Sequence, residues 1–220
     1  MSDSHKLLRV FIAEQLQQLT EDALPAASAA AAGLALMTPP NGLGAYVLYD
    51  QDKFVTTMLG MVDESSRKEI AKQLLAAGVV IASLYVDKTA HCWEARTVST
   101  VAAQHGYGPL LYDAAMSDGP LAPMRDAVSL SAERVWRHYY EKRSDVVHEP
   151  LQNCKKHVSV RPWLNFKYTM TSDMSSTFGA LRKRHTAAIK ELEYDFPSTV
   201  IIATLESAAD MYFDARYIAP

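Results

Sequence analysis

The sequence predicts an α/β domain of the α+β type, a central sheet flanked by helices. Three observations predict it. Val79–Val86 is a continuous apolar run rich in β-branched residues, which marks a buried strand. Stretches near both ends of the chain repeat apolar residues at spacings of three and four, the helical period. Between them the chain passes from a strand through Gly106-x-Gly108 into a helix opened by Pro109.

Composition fits one such domain. The chain has 220 residues, 49% hydrophobic and 21% charged, which excludes a disordered chain and is short for two domains. Its 22 basic and 25 acidic residues give a net charge of -3, which argues against bulk nucleic-acid binding. The two cysteines, Cys92 and Cys154, form no CxxC or CxH pair, so spacing supports neither a zinc site nor a disulfide framework. They read as reduced thiols. The first residues lead into an amphipathic segment, not a signal h-region. The longest apolar stretches, Leu24–Met37 and Leu74–Val86, are too short to span a bilayer.

The elements follow in order. Leu7, Leu8, Phe11, Leu16 and Leu19 make an amphipathic helix of residues 5–20. Pro25 opens an Ala-rich run, 26–36, read as a second helix because alanine is the best helix former. Pro39-Pro40-Asn41-Gly42 ends it. Ala45–Tyr49 is a short strand. Arg67–Ala77 is a helix with Gly78 at its C-cap. Val79–Val86, the turn 87–90 and His91–Thr100 form a β-hairpin. Leu110–Met116 is a helix, and Pro109 suits its first turn because proline lacks a donor that goes unused there. Ser129 or Ser131 caps a helix running to about Lys142. Leu164–Met170 is a strand, and Ser175–Glu193 and Ile202–Phe213 are closing helices.

The strand–Gly-x-Gly–helix step carries the chemistry. Backbone N–H groups in a glycine turn and at a helix N-terminus point outward together, and the helix dipole adds positive potential, which suits a phosphate or pyrophosphate. A tight strand-to-helix turn also needs glycine, so the spacing alone leaves a purely structural role equally open. The third glycine position of the dinucleotide fingerprint holds Leu111, and no Gly-Lys-Ser/Thr follows, so neither a Rossmann motif nor a P-loop is present.

The surrounding residues add to this. Gly106-Tyr-Gly-Pro-Leu-Leu-Tyr-Asp113, Met124-Arg-Asp126, Val128-Ser129 and Ala132-x-x-Val-Trp-x-x-Tyr139-x-x-x-Arg143-x-Asp145-Val146 resemble a family of phage-encoded proteins similar to the GNAT superfamily of N-acetyltransferases. Asn153-Cys154-Lys155 and Leu164-Asn165-Phe166-Lys167-Tyr168 continue the pattern, so the resemblance covers roughly residues 79–170. It implies a single GNAT-like domain over 1–220, with a mixed-sheet core at about 44–170 and helical additions at 5–38 and 174–214.

The resemblance also implies a site for acetyl-CoA or another acyl-CoA in a V between the fourth and fifth strands. The backbone of Val98, Ser99 and Val101 would pair with the pantetheine arm. Gln104, His105, Gly106, Tyr107, Gly108 and Pro109 would cradle the pyrophosphate. The family's loop carries Arg or Gln where this chain has Ala103, and Gln104 follows one place late. The fifth strand falls on Leu121–Ser129, interrupted by Pro123 and two charges. The family's proton-donating tyrosine aligns with Trp136, so Tyr139, one turn on, is the expected acid, with Tyr140 as its alternative. Glu94 is the expected base, with His91 and His105 as alternatives; its structural reading is a surface residue paired with Arg96 or Lys88. His138 and His148 take no role.

The expected function is therefore acyl transfer from acyl-CoA to an unidentified amine, in a phage protein of the host cytoplasm. The competing expectation is an inactive GNAT-like binding or virion module. Homo-oligomerisation is open. Arg182-Lys183-Arg184-His185 reads as a solvated basic face, with the CoA 3′-phosphate, an acidic substrate or nucleic acid as other readings.

Overall fold

The structure, a computed structural model, describes residues 26–61, 66–88, 95–104, 106–124, 128–152, 159–171 and 175–217. The expected helix 5–20, both cysteines, Glu94, His91 and His105 lie outside the described residues.

The fold is a seven-stranded mixed sheet with helices on both faces. Chain order is α1 (Ala26–Ala31), β1 (Leu34–Met37), β2 (Gly44–Asp50), α2 (Gln51–Leu59), α3 (Arg67–Ala76), β3 (Val80–Asp87), β4 (Arg96–Ala103), α4 (Gly108–Ser117), β5 (Leu121–Pro123), α5 (Leu130–Glu141), β6 (Val146–Pro150), β7 (Phe166–Met170), α6 (Ser175–Leu192) and α7 (Ser198–Tyr217). The sheet order is β1-β2-β3-β4-β5-β7-β6, antiparallel throughout except for the parallel β4–β5 pair.

Period-two alternation assigns the faces. Leu34, Leu36, Tyr46 and Leu48 join one core with α1, α4 and α5. Ala35, Met37, Val47 and Tyr49 join a second core with α2, α3 and α7. Helix α6 contributes Phe178 and Leu181 to the first and Ile189 and Leu192 to the second.

Several expectations need correcting. The Ala-rich run is not one helix. Gly33, at φ +83°, turns the chain after α1, and Leu34–Met37 pairs with β2 across Leu34–Asp50 to Met37–Val47. A four-residue run buried on both faces gains more from the sheet than from alanine's helix preference. The expected helical addition 5–38 therefore includes a sheet strand. Among the described residues the hairpin's second strand is Arg96–Ala103, which runs past the expected end at Thr100; residues 91–94 lie outside the described residues. Of the expected Leu121–Ser129, the strand among the described residues is Leu121–Pro123, and Pro123 at its end has no N–H for a ladder; residues 125–127 lie outside the described residues. Leu164–Met170 begins in a 3-10 turn, Pro162–Asn165, and becomes strand at Phe166.

Elsewhere the local chemistry acts as read. Of the two serines offered, Ser129 caps α5 by accepting from Ala132 N; Ser66, not singled out in the sequence, caps α3 by accepting from Glu69 N. Gly78, at φ +64°, ends α3 in a Schellman motif, with Val79 N donating to Leu74 O and Gly78 N to Leu75 O.

Candidate functional site

The site is built around β4. Its first three residues pair in parallel with β5, Arg96 to Leu121, Thr97 to Ala122 and Val98 to Pro123. There β5 ends. Ser99–Ala103 continue along β3, and among the described residues no strand pairs with them on the β5 side. The sheet therefore opens at the C-terminal ends of a parallel pair joined by a helix, where α/β folds commonly place a ligand.

Two cavities meet on this stretch. The first, about 120 Å³, lies on the α4–α5 side, with Val98, Ser99, Thr100 and Val101 along one wall and Tyr112 and Trp136 along another. The two rings meet edge to face at 5.1 Å. The second, about 290 Å³, lies under α7 and is lined by Ser83, Tyr85, Ser99, Thr100, Asp210, Phe213 and Asp214. Ser99, Thr100 and Phe213 line both.

Beyond Ala103 the chain turns into α4. Gln104 N donates to Ile81 O at 2.9 Å and Tyr107 N to Gln104 O at 3.2 Å. Gly106 sits at φ +83°, a conformation glycine adopts without penalty. Gly108 differs: its backbone is ordinary, and an added Cβ would meet only the Ala103 Cβ, at 3.8 Å. Nothing in the fold itself requires glycine there. Thus the structure places Val98, Ser99 and Val101 in the first cavity, and Gln104, Gly106, Tyr107, Gly108 and Pro109 in the turn that follows the same strand.

Tyr139 is not brought to the cavity. It is 1% exposed, and its hydroxyl donates to Asp113 Oδ1 at 2.8 Å and Pro109 O at 3.2 Å. Arg143 also reaches Asp113, at 3.2 Å, and pairs with Asp145 through both guanidinium edges. Burial, then the Asp113 charge, push the Tyr139 hydroxyl well above its usual range. Burial also raises the Asp113 carboxyl, against the opposing pull of Arg143 and Tyr139. This network ties α5 to α4. Tyr140 is likewise occupied elsewhere, against His148 and Phe166.

The side chain of Arg96 is held within the fold. It donates to Gly42 O (2.8 Å), Tyr46 Oη (3.1 Å) and the carbonyls of Ala115 and Gly119 at the end of α4. Two of the four residues of the basic run are structural too. Arg182 pairs with Asp118 at 2.8 Å, and His185 Nδ1 shares a 2.8 Å hydrogen bond with the Tyr49 hydroxyl. Burial lowers His185 to about 4, so its ring is neutral at pH 7.

Sequence reading missed Asp210, Phe213 and Asp214. One signal was present: like charges at i,i+4 destabilise a helix, and Asp210 and Asp214 have that spacing. Among the described residues no cluster of three potential metal ligands exists. No helix among them is long and apolar enough to cross a membrane. Compared with known proteins, the chain matches no family model, no curated protein and no solved structure.

Proposed function

We propose that the protein is an acyl-CoA-dependent N-acyltransferase. The observation that carries this reading is the opening of the β4–β5 pair beyond Val98 and Pro123, with two cavities that meet at Ser99 and Thr100. A transfer between two substrates needs such a meeting point, with the reacting atoms held close and oriented. The strand edge Ser99–Val101 would hold the extended arm of the donor, and the turn Gln104–Gly108 at the start of α4 its pyrophosphate. The space over Gly108 fits that role, since close approach of a phosphate needs a bare backbone.

The acyl-CoA supplies a thioester. The amine nitrogen bonds to the carbonyl carbon, the carbon–sulfur bond breaks, and the sulfur leaves as thiolate. An ammonium loses two protons in all: one ends on the sulfur and the other passes to water. The chain's own part is to bind both partners and exclude water. Tyr112 and Trp136 form an apolar wall suited to that.

A specific observation favours the second reading, a binding module without turnover. The expected acid, Tyr139, donates its hydrogen bond to a buried carboxylate rather than facing the cavity. A thiol pKa of about 8.5 makes an acid helpful rather than essential, so transfer remains the leading reading. Mass spectrometry of the purified chain with a panel of acyl-CoAs and amines tests it. Bound acyl-CoA and released CoA are expected. Binding without release under any amine favours the module, and no binding removes both.

A further inference from the structure

We propose that the second cavity is the acceptor pocket and that the acceptor is a small aliphatic amine, which enters as its ammonium ion. The inference rests on the acyltransferase reading and names the substrate class at that same site.

Three features of the cavity converge on such a ligand. First, its volume of about 290 Å³ is that of a small-molecule site, and two aromatic rings, Tyr85 and Phe213, stand in its lining. Rings of this kind cover a hydrocarbon chain and attract a cation to their faces. Second, Ser83 is 8% exposed, lines the cavity, and has no hydrogen-bond partner for its hydroxyl among the described residues. The hydroxyl opens onto the cavity and is free to donate to or accept from a ligand there. Third, the rim carries Asp210 and Asp214, one helical turn apart, with no cation paired to either among the described residues. Burial and the Asp214 charge hold the Asp210 carboxyl above its usual range. A cation between the two would relieve that repulsion.

Glu69, Glu141, Glu149 and Asp118 each meet a Lys or Arg within hydrogen-bond distance, while others such as Asp52, Glu193 and Asp195 have no such partner among the described residues. What sets Asp210 and Asp214 apart is their place: two unpaired carboxylates one turn apart on the lining of one cavity, at a spacing that weakens α7. The ligand charge that fits is positive. The cavity also ends at Ser99 and Thr100, where the donor cavity begins. An amine held at the rim by its charge has its way to the thioester along the shared wall, and there it must shed a proton, since an ammonium has no lone pair.

The test is calorimetric titration of the full chain with spermidine at low salt. Saturable binding is expected for the wild type. Asp214→Asn, at an exposed position, should weaken it a few-fold, and Asp210→Asn/Asp214→Asn about tenfold, the size of two rim charges. Asp195→Asn, an exposed carboxylate away from the cavity, should leave it unchanged. Equal affinity in the wild type and both rim variants overturns the inference, as does a wild type that shows no saturation up to about 10 mM. An Asp195→Asn effect as large as that of Asp214→Asn also overturns it, because the attraction is then only net charge. Coenzyme A is titrated into the same samples, with equal affinity expected in every variant. A wild type that takes spermidine but no coenzyme A overturns the acyltransferase reading, and with it the pocket's role as acceptor site.

Discussion

At Thr97 and Val98, near its start, β4 is paired on both sides, and the side chain of the adjoining Arg96 closes the gap between Gly42, Tyr46 and the end of α4. At Thr100 no strand among the described residues pairs on the β5 side, and two cavities share its edge. At the first end the charged groups are linked: Tyr46 donates to Asp118, Asp118 pairs with Arg182, and Arg182 anchors α6. At the second end Ser83, Asp210 and Asp214 have none among the described residues. One strand is thus closed by polar contacts at its start and open to cavities at its finish. Substitutions at the two ends should separate into those that change folding and those that change binding.

The largest effect is expected at the closed end. Arg96→Met leaves the carbonyls of Gly42, Ala115 and Gly119 without their donor in a half-buried place. Hydrogen bonds to a charged donor contribute about 1.5–3 kcal/mol each, so a loss of about 3 kcal/mol or more is expected. In a chain of this size that corresponds to a melting point lower by about 10 °C. A urea or thermal denaturation showing less than about 1 kcal/mol would mean that the clamp is incidental.

The same contrast explains what the sequence could reveal. Elements set by local chemistry were legible: the Ser129 cap, the Gly78 stop, the apolar run of β3, and the turn into α4. Elements set by long-range pairing were not. β1 hides in an alanine-rich run, and only its partners on β2 make it a strand. β6, Val146–Pro150, is half polar and ends in proline, so it becomes a strand only beside β7. The same holds for the site. Val98, Ser99, Val101 and the glycine turn were readable because they are contiguous. Asp210 and Phe213 reach β4 from the far end of the chain, a proximity no local pattern carries. Tyr139 was read one step too simply: helical spacing gave its helix face, but not the buried Asp113 to which its hydroxyl donates.

A pH prediction tests the α6 side of the closed end. His185 is held at about 4 in the fold, against 6.5 for a free side chain, through burial. Its folded pKa is lowered, so the unfolded chain binds the extra proton more readily. Its contribution is therefore whole above about pH 6.5 and is lost as pH falls toward 4. The full span corresponds to about 3 kcal/mol. Measured by urea denaturation between pH 7 and 4, the wild type should lose stability more steeply than His185→Gln. Parallel curves would place the histidine in water instead.

Tyr139→Phe sits between the two ends, since it removes one donor to Asp113 while Arg143 still pairs with that carboxylate. A loss of about 1–2 kcal/mol in stability is expected. Coenzyme A affinity should not change. If turnover is found, it should fall less than about tenfold, because a positioned acid contributes about 10²–10⁴ and this hydroxyl does not face the cavity. A drop within that larger range, with the fold intact, would return Tyr139 to the chemistry.

The smallest effect on folding belongs to the open end, and there it is informative because it is small. Gly106 makes a poor probe, since any side chain at φ +83° strains the turn itself. Gly108 makes a good one. Its backbone is helical in kind, and the nearest atom to an added Cβ would be the Ala103 Cβ at 3.8 Å, an ordinary contact. Gly108→Ala should therefore change unfolding free energy by less than about 1 kcal/mol, and any change should be a gain, because alanine favours the first turn of α4 more than glycine does. If a pyrophosphate approaches the backbone there, the added methyl stands in its path, and coenzyme A affinity should fall by about tenfold or more. A variant that folds as well as the wild type and binds coenzyme A equally well would separate the turn from the donor site, leaving the glycine as a feature of the strand-to-helix connection alone.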